Sequence, residues 1–309
     1  MAATFIVHAN LDCEARWANV TLPQKVQQRI SLLGSLVAAL APADREVEVW
    51  VPAAIDGTRV VGTPRPSAMR VGTPPRCDLA WADPLAKPVN DRRLALELAR
   101  EHGVALPGAK VIARADDIDI AGPWVTKAPW TAAGRDRCHG DGAPTTEQRT
   151  RITRLIETFG SLVLEPWCDR IVDTGVCATV APDGLVQAHP PHALLTDTRG
   201  GFLGIDLAPP ALEQSERDQL AMLVAAAGST LCDHGYAGPF AIDAFAYRDR
   251  DGARRFQPLC EINARFSFGW IARALHQRAG TTKLGFGEPP AGATTMIAPG
   301  DDRVTAWIA

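Results

Sequence analysis

In the stretch QPLCEINARFSFGW, Glu261, Asn263 and Arg265 alternate with Cys260, Ile262, Ala264 and Phe266. Side chains alternate between faces along a strand, so this spacing predicts a carboxylate, an amide and a guanidinium on one face and four apolar groups on the other. A solvated strand face is the plain alternative. Upstream, GPFAIDAFAY is an apolar strand broken only by Asp243, and RDRDGARR between the two carries the Asp-Gly pair of a tight hairpin turn. Asp243 and Glu261 stand almost equally far from that turn, which makes them cross-strand neighbours to within about one residue of register. Two carboxylates so placed repel each other unless a divalent cation lies between them. Oxygen-only donors suit Mg²⁺, which takes one or two carboxylates and completes its shell with phosphate oxygens. Arg265 adds a two-pronged donor for phosphate or carboxylate. The outline is a nucleotide-phosphate site.

The bulk numbers leave room for this chemistry. A chain of 309 residues can bury a large core and hold two or three subdomains. With 46% hydrophobic residues, 22% charged and a net charge of −3, it has no global basic field that would call for nucleic acid. MAATFIVHAN lacks the features of a signal peptide, and no run reaches the roughly 20 apolar residues of a membrane span. Seven scattered cysteines with no Cys-x-x-Cys spacing point to a reduced, cytoplasmic setting and give no support to a zinc site. Cys168 and Cys177 lie among apolar residues and are expected as buried thiols. Partners are therefore expected among small molecules, with no nucleic acid and no membrane; a homo-oligomer is left open.

Alternating strand and helix patterns precede the hairpin. TFIVH, the helical spacing of Val26, Ile30, Leu33, Val37 and Leu40, and the alternating VEVWV predict a βαβ unit. It lacks Gly-x-Gly-x-x-Gly, and the Pro- and Gly-rich stretch 52–76 is expected as loop or linker. A helix capped by Asn90 or Asp91 and closed at Gly103 follows, with a strand after Pro107. GPWVTKAP is a short strand ending at Lys127, followed by Ala132, Ala133, Gly134 and Arg135, small residues that let backbone amides approach a phosphate. The order Gly-Lys-Ser/Thr is absent, so this is no Walker motif, and a hairpin loop is the plain alternative. Thr145-x-x-Gln148 opens a helix as a capping box, and SLVLEPWCDR returns as a strand through Glu165 and Pro166. A hairpin about Asp183-Gly184, a loop-rich stretch near 198–210 and a helix over about 210–228 lead to the first hairpin, and a helix over GWIARALHQRAG follows it.

In this order, VTKAP, TAAGR, LVLEPWC, FAIDAF and CEINARF resemble the ATP-grasp superfamily over roughly residues 88–280, with CEINARF the most specific of the five. The resemblance implies an α/β (α+β) fold in which an N-terminal α/β domain over 1–87 precedes an ATP-grasp domain over 88–309. That domain would carry an inserted lid near 122–165 and a C-terminal antiparallel catalytic sheet. It also implies roles. Lys127 would touch ATP phosphates, joined by Gly134 and Arg135 of the loop, and by Arg92 where members commonly carry Lys. Glu165 would accept from the adenine amino group, backbone at Trp167 and Cys168 would frame the ring, and Asp173 would reach the ribose. Asp243, Glu261 and Asn263 would hold Mg²⁺, and Arg265 would face the transferring phosphate. The implied activity is an ATP- and Mg²⁺-dependent ligase that activates a carboxylate as an acyl phosphate for attack by an amine or other nucleophile. A kinase and a non-catalytic nucleotide-binding scaffold are the alternatives. His192 and Asp197 stand where members contact the second substrate.

Overall fold

The computed structural model describes residues 3–131, 136–198 and 200–309. The chain opens with β1 (Phe5–His8), the short helix α1 (Cys13–Trp17), α2 (Gln24–Gly34), β2 (Val47–Val51), β3 (Ala68–Val71) and β4 (Leu79–Ala80). Next come α3 (Arg92–Glu101), β5 (Lys110–Ile112), β6 (Pro123–Lys127), β7 (Cys138–Asp141), α4 (Thr146–Phe159), β8 (Leu162–Pro166), β9 (Asp169–Val180) and β10 (Val186–Ala188). The remainder holds β11 (His192–Thr196), β12 (Phe202–Asp206), α5 (Gln214–Asp233), β13 (Gly238–Arg248), β14 (Arg254–Asn263), α6 (Phe268–Ala279), β15 (Lys283–Phe286), β16 (Thr294–Ile297) and β17 (Ala306–Ile308). Two contact units result, 1–84 with 190–209 and 265–309, and 85–189 with 210–264.

The first unit contains a parallel sheet in the order β3-β2-β1-β4. Val47, Val49 and Val51 alternate inward along β2, as their spacing predicts. The stretch expected as linker supplies β3, whose four residues lie at the sheet edge and are half-buried or exposed, so no apolar alternation marks it. The same unit holds antiparallel β11-β12-β15-β17-β16. Strand β12 replaces an expected loop. Its Gly204 has φ +154°, and an added Cβ would come within 2.4 Å of the Leu284 carbonyl oxygen, so this close pairing with β15 requires glycine.

The second unit pairs β14, β13, β9 and β10 in antiparallel order, with α5 packed on β9, β10 and β14. Its other sheet runs β5-β8-β6-β7, also antiparallel, with α4 against it. Thr145 and Gln148 form the expected capping box, each side chain bonding the other residue's backbone N–H. Helix α5 starts and ends later than its apolar spacing suggests. Pro209-Pro210 precede it, and the Glu213 amide donates to the Glu216 carboxylate at 2.8 Å to fix the true start. Trp124, Ile112, Ile152, Leu162 and Leu164 are buried between α4 and its sheet.

Candidate active site

The hairpin expected from the Asp-Gly pair is formed by β13 and β14, with Gly252 at φ +78° in the turn. Asp243 lies directly opposite Glu261, and Ala241 opposite Asn263. The two carboxylates and the amide therefore share one face of the sheet, with buried Ile262 on the other. On the β9 side Asp243 faces Gly175, which brings no side chain. Among the described residues no three His, Cys, Asp or Glu side chains gather into a metal-holding group. The donor set here is instead two carboxylates and one amide oxygen. It is all hard oxygen and short of a full shell, which fits Mg²⁺ with water or phosphate oxygens completing the coordination.

Glu261 is engaged by Arg92. The Arg92 Nη2 donates to Glu261 Oε1 at 2.7 Å and to the Thr131 carbonyl at 2.6 Å, while Nη1 donates to the Ala128 carbonyl at 2.7 Å and to Thr131 Oγ1 at 3.0 Å. Asp91 caps α3 and sets the first turn from which Arg92 reaches across. One buried guanidinium thus ties the Glu261 carboxylate to Ala128 and Thr131, which follow β6. Gly134 and Arg135 lie outside the described residues.

Beneath this, Lys127 at the end of β6 is 3% exposed and forms an ion pair with Glu165 on β8. Val125 is the register partner of Glu165, so Lys127 is its diagonal neighbour on the same face. Burial pulls the Lys127 ammonium down, the Cys260 sulfur and the Glu165 carboxylate push it up, and the net direction is up. Arg170, unremarked in the sequence, donates to Asp173 at 2.9 Å and lies 3.9 Å from the Phe245 ring centroid. Residues three apart in a strand normally face opposite ways. A register shift opposite Ala246 and Tyr247 puts Arg170 and Asp173 on the same side.

A second irregularity turns Cys260. Between Asp243 and Phe245, β13 advances two residues while β14 runs from Glu261 to Gln257, and Pro258, which has no amide to donate, sits in that bulge. Strict alternation puts Cys260 on the apolar face. In the structure its sulfur lies 3.6 Å from Lys127 Nζ and 3.9 Å from Arg170 Nη2. Pro258 was the signal in the sequence for this departure. Cys168 packs beside it, its thiol pushed up to about 11 chiefly by burial and therefore neutral. The Trp167 amide donates to the Pro123 carbonyl at 2.9 Å, and its ring meets His139 edge-on at 4.5 Å.

Arg265 stands two residues beyond β14, in the first unit. Its Nη2 donates to Glu14 Oε1 at 2.6 Å, and its Nη1 to the Phe266 carbonyl at 3.1 Å. His192 is buried at the start of β11, and Asp197 follows that strand.

No protein-family model matches the sequence, and no curated protein does. Solved structures do. Biotin carboxylase from Campylobacter jejuni, in a β-γ-ATP complex, matches over 99% of this chain and 87% of its own, with 12% identity and a TM-score of 0.59. An L-amino acid ligase from Bacillus licheniformis matches over 100% and 93%, with 11% identity and a TM-score of 0.54. Phosphoribosylamine–glycine ligase from Thermotoga maritima matches over 99% and 90%, with 13% identity and a TM-score of 0.53. At this identity the likeness is one of fold, and the fold is that of the ATP-grasp enzymes.

Proposed function

We propose that the second unit binds ATP with Mg²⁺ and that the protein is a ligase joining a substrate carboxylate to an amine, with ADP and phosphate as the other products. The observation that carries this is the cross-strand pair Asp243–Glu261 with Asn263 on the same face. Two carboxylates and an amide oxygen on one face offer the hard donors that Mg²⁺ takes, and a cation there would join Arg92 in offsetting the repulsion of the opposed carboxylates. Mg²⁺ held by these three residues would offset phosphate charge and align the transferring group. ATP would draw its phosphates to Lys127 and to Gly134 and Arg135 of the loop, with Arg92 anchoring the loop's start. Glu165 would meet the adenine amino group and Asp173 the ribose. With the Trp167 amide taken by Pro123, the ring would be framed by backbone at Cys168.

In the reaction a carboxylate oxygen attacks the γ-phosphorus and ADP leaves. The amine nitrogen then attacks the acyl carbon, phosphate departs and the nitrogen loses a proton. Arg265 would face the group in transfer, and residues 122–165 would exclude water, because an exposed acyl phosphate hydrolyses. Three neighbours of the same fold are named as carboxylase or ligase, which favours this chemistry for the fold. The test places oxygen-18 in candidate carboxylate substrates supplied with amines, ATP and Mg²⁺. Label in the released phosphate is the expected result. A stable phosphorylated product without free phosphate would overturn the ligase reading in favour of a kinase.

A further inference from the structure

The parallel sheet of the first unit reverses its strand order at β1, with β2 and β3 on one side and β4 on the other. Ligands of open parallel sheets bind beyond the carboxyl ends of the strands at such a reversal. Asn10, past β1, and Ala82, past β4, close that end. Asn10 Nδ2 donates to the Ala82 carbonyl at 2.9 Å, and the Ala82 amide donates to Asn10 Oδ1 at 3.1 Å.

Two carboxylates follow at the start of α1, Asp12 at its N-cap position and Glu14 in its first turn. Glu14 gives one oxygen to Arg265, and its side chain is only 7% exposed. Its other oxygen, Oε2, is buried and accepts no hydrogen bond, and the same is true of Asp12 Oδ1. A buried carboxylate oxygen without a donor is costly, so these two atoms ask for one. The local charge is also one-sided. Half-buried Arg265 pairs with Glu14, Arg16 is exposed, and the neighbouring His8 is held below its ordinary value first by burial and then by Arg16. Cys13, between the carboxylates, has its thiol pushed up to about 12 chiefly by burial and adds no charge. The missing group is a cation with several N–H donors, which a primary ammonium supplies.

Aromatic rings extend from the same place. The Arg265 guanidinium lies 5.9 Å from the Trp81 ring, Trp81 is 5.5 Å from Phe268, and Phe268 is 4.9 Å from Phe286 and 6.0 Å from the exposed Phe202. We propose that Asp12 and Glu14 form an ammonium-binding subsite in the first unit, and that it takes a primary amine carried on an apolar or aromatic skeleton. The subsite itself follows from the orphaned oxygens; its role as the seat of the attacking amine rests on the ligase reading.

Calorimetry on the full chain tests it with phenethylamine, isobutylamine and the neutral isostere 2-phenylethanol, each sample also being titrated with MgADP. The amines should bind the unaltered chain, and the alcohol roughly tenfold or more weaker, because it lacks the charge-assisted bonds. Asp12→Asn, which leaves the Glu14–Arg265 pair intact, and Glu14→Gln should each weaken amine binding by a similar factor and leave the alcohol unchanged. Equal binding of phenethylamine and 2-phenylethanol, no binding of either amine, or unchanged amine affinity in both variants would overturn the subsite. Failure of MgADP to bind while the amine preference persists removes the ligase reading and leaves the subsite standing. The reverse pattern removes the subsite alone.

Discussion

The charged clusters of the two units differ in how completely they are paired. In the second unit three cations each hold a carboxylate: buried Arg92 with Glu261, buried Lys127 with Glu165, and half-buried Arg170 with Asp173. In the first unit one guanidinium serves Glu14, and carboxylate oxygens of Glu14 and Asp12 are left over. A cluster whose cations each hold a carboxylate can admit a charged ligand at those contacts only by exchanging partners, so cation and anion must enter together. In the proposed function Mg²⁺ with a nucleotide would do this, taking the place of Arg92 at Glu261 and of Glu165 at Lys127. A cluster with spare acceptors admits a cation with no exchange. The difference separates a site built to rearrange from one built to receive.

The largest effect should follow from breaking the paired cluster at Glu261, where Mg²⁺ is proposed to bind. Glu261→Gln keeps the side-chain shape and removes one charge, and Arg92 retains its bonds to Ala128 and Thr131. Turnover, followed as phosphate release, should fall about 100-fold or more, a typical loss for one preorganised electrostatic group. The Mg²⁺ concentration for half-maximal rate should rise, with the circular dichroism spectrum unchanged. Full turnover at limiting Mg²⁺ would reduce this face to a solvated strand and take the proposed function with it.

A smaller effect is expected at the Lys127–Glu165 pair. Lys127→Ala would delete the proposed phosphate contact, worth about 1.5–3 kcal/mol, so ATP affinity should fall roughly 10- to 150-fold by calorimetry. It also leaves Glu165, half-buried on β8, without its cation, so the unfolding midpoint should drop as well. Glu165→Gln in the same background removes the stranded charge and should restore the midpoint without restoring ATP affinity. Unchanged ATP affinity in Lys127→Ala would remove that residue from the site.

What could be read in the sequence follows from the range of the interactions. The Asp243–Glu261 pairing was legible because a turn signal lies between two strands and fixes their register locally. The Thr145–Gln148 cap was legible for the same reason. Strands β3 and β12 were not, because one is a short edge strand without alternation and the other is interrupted by Gly204. Cys260 and Arg170 face where they do because of register shifts, which break the period-2 rule by which a strand is read. The Glu14–Arg265 pair joins residues 251 apart, and no local pattern announces a contact of that span.

The smallest expected effect contrasts one histidine from each unit. His8, at the end of β1, and His139, on β7 beside Trp167, are both held below the ordinary value of 6.5, chiefly by burial. Arg16 reinforces this at His8, and Arg137, Arg151 and Lys127 at His139. In each case the unfolded chain takes up the proton at a higher pH than the folded chain does. Stability contributed by the neutral ring is therefore complete above 6.5 and is lost as pH falls from 6.5 through the lower folded value. The urea midpoint of the unaltered chain should decline between pH 7.5 and pH 5.5, and His8→Asn and His139→Asn should each flatten part of that decline. Asp12 opposes the shift at His8, whereas every charge named at His139 deepens it. Adding phenethylamine sharpens the contrast. An ammonium held by Asp12 offsets the carboxylate charge that favours protonated His8, so it should steepen the pH slope in the unaltered chain and in His139→Asn, and leave the slope of His8→Asn alone. A slope that amine does not change in any of the three, or that both substitutions leave at full size, would show that these rings do not report on the two charge clusters.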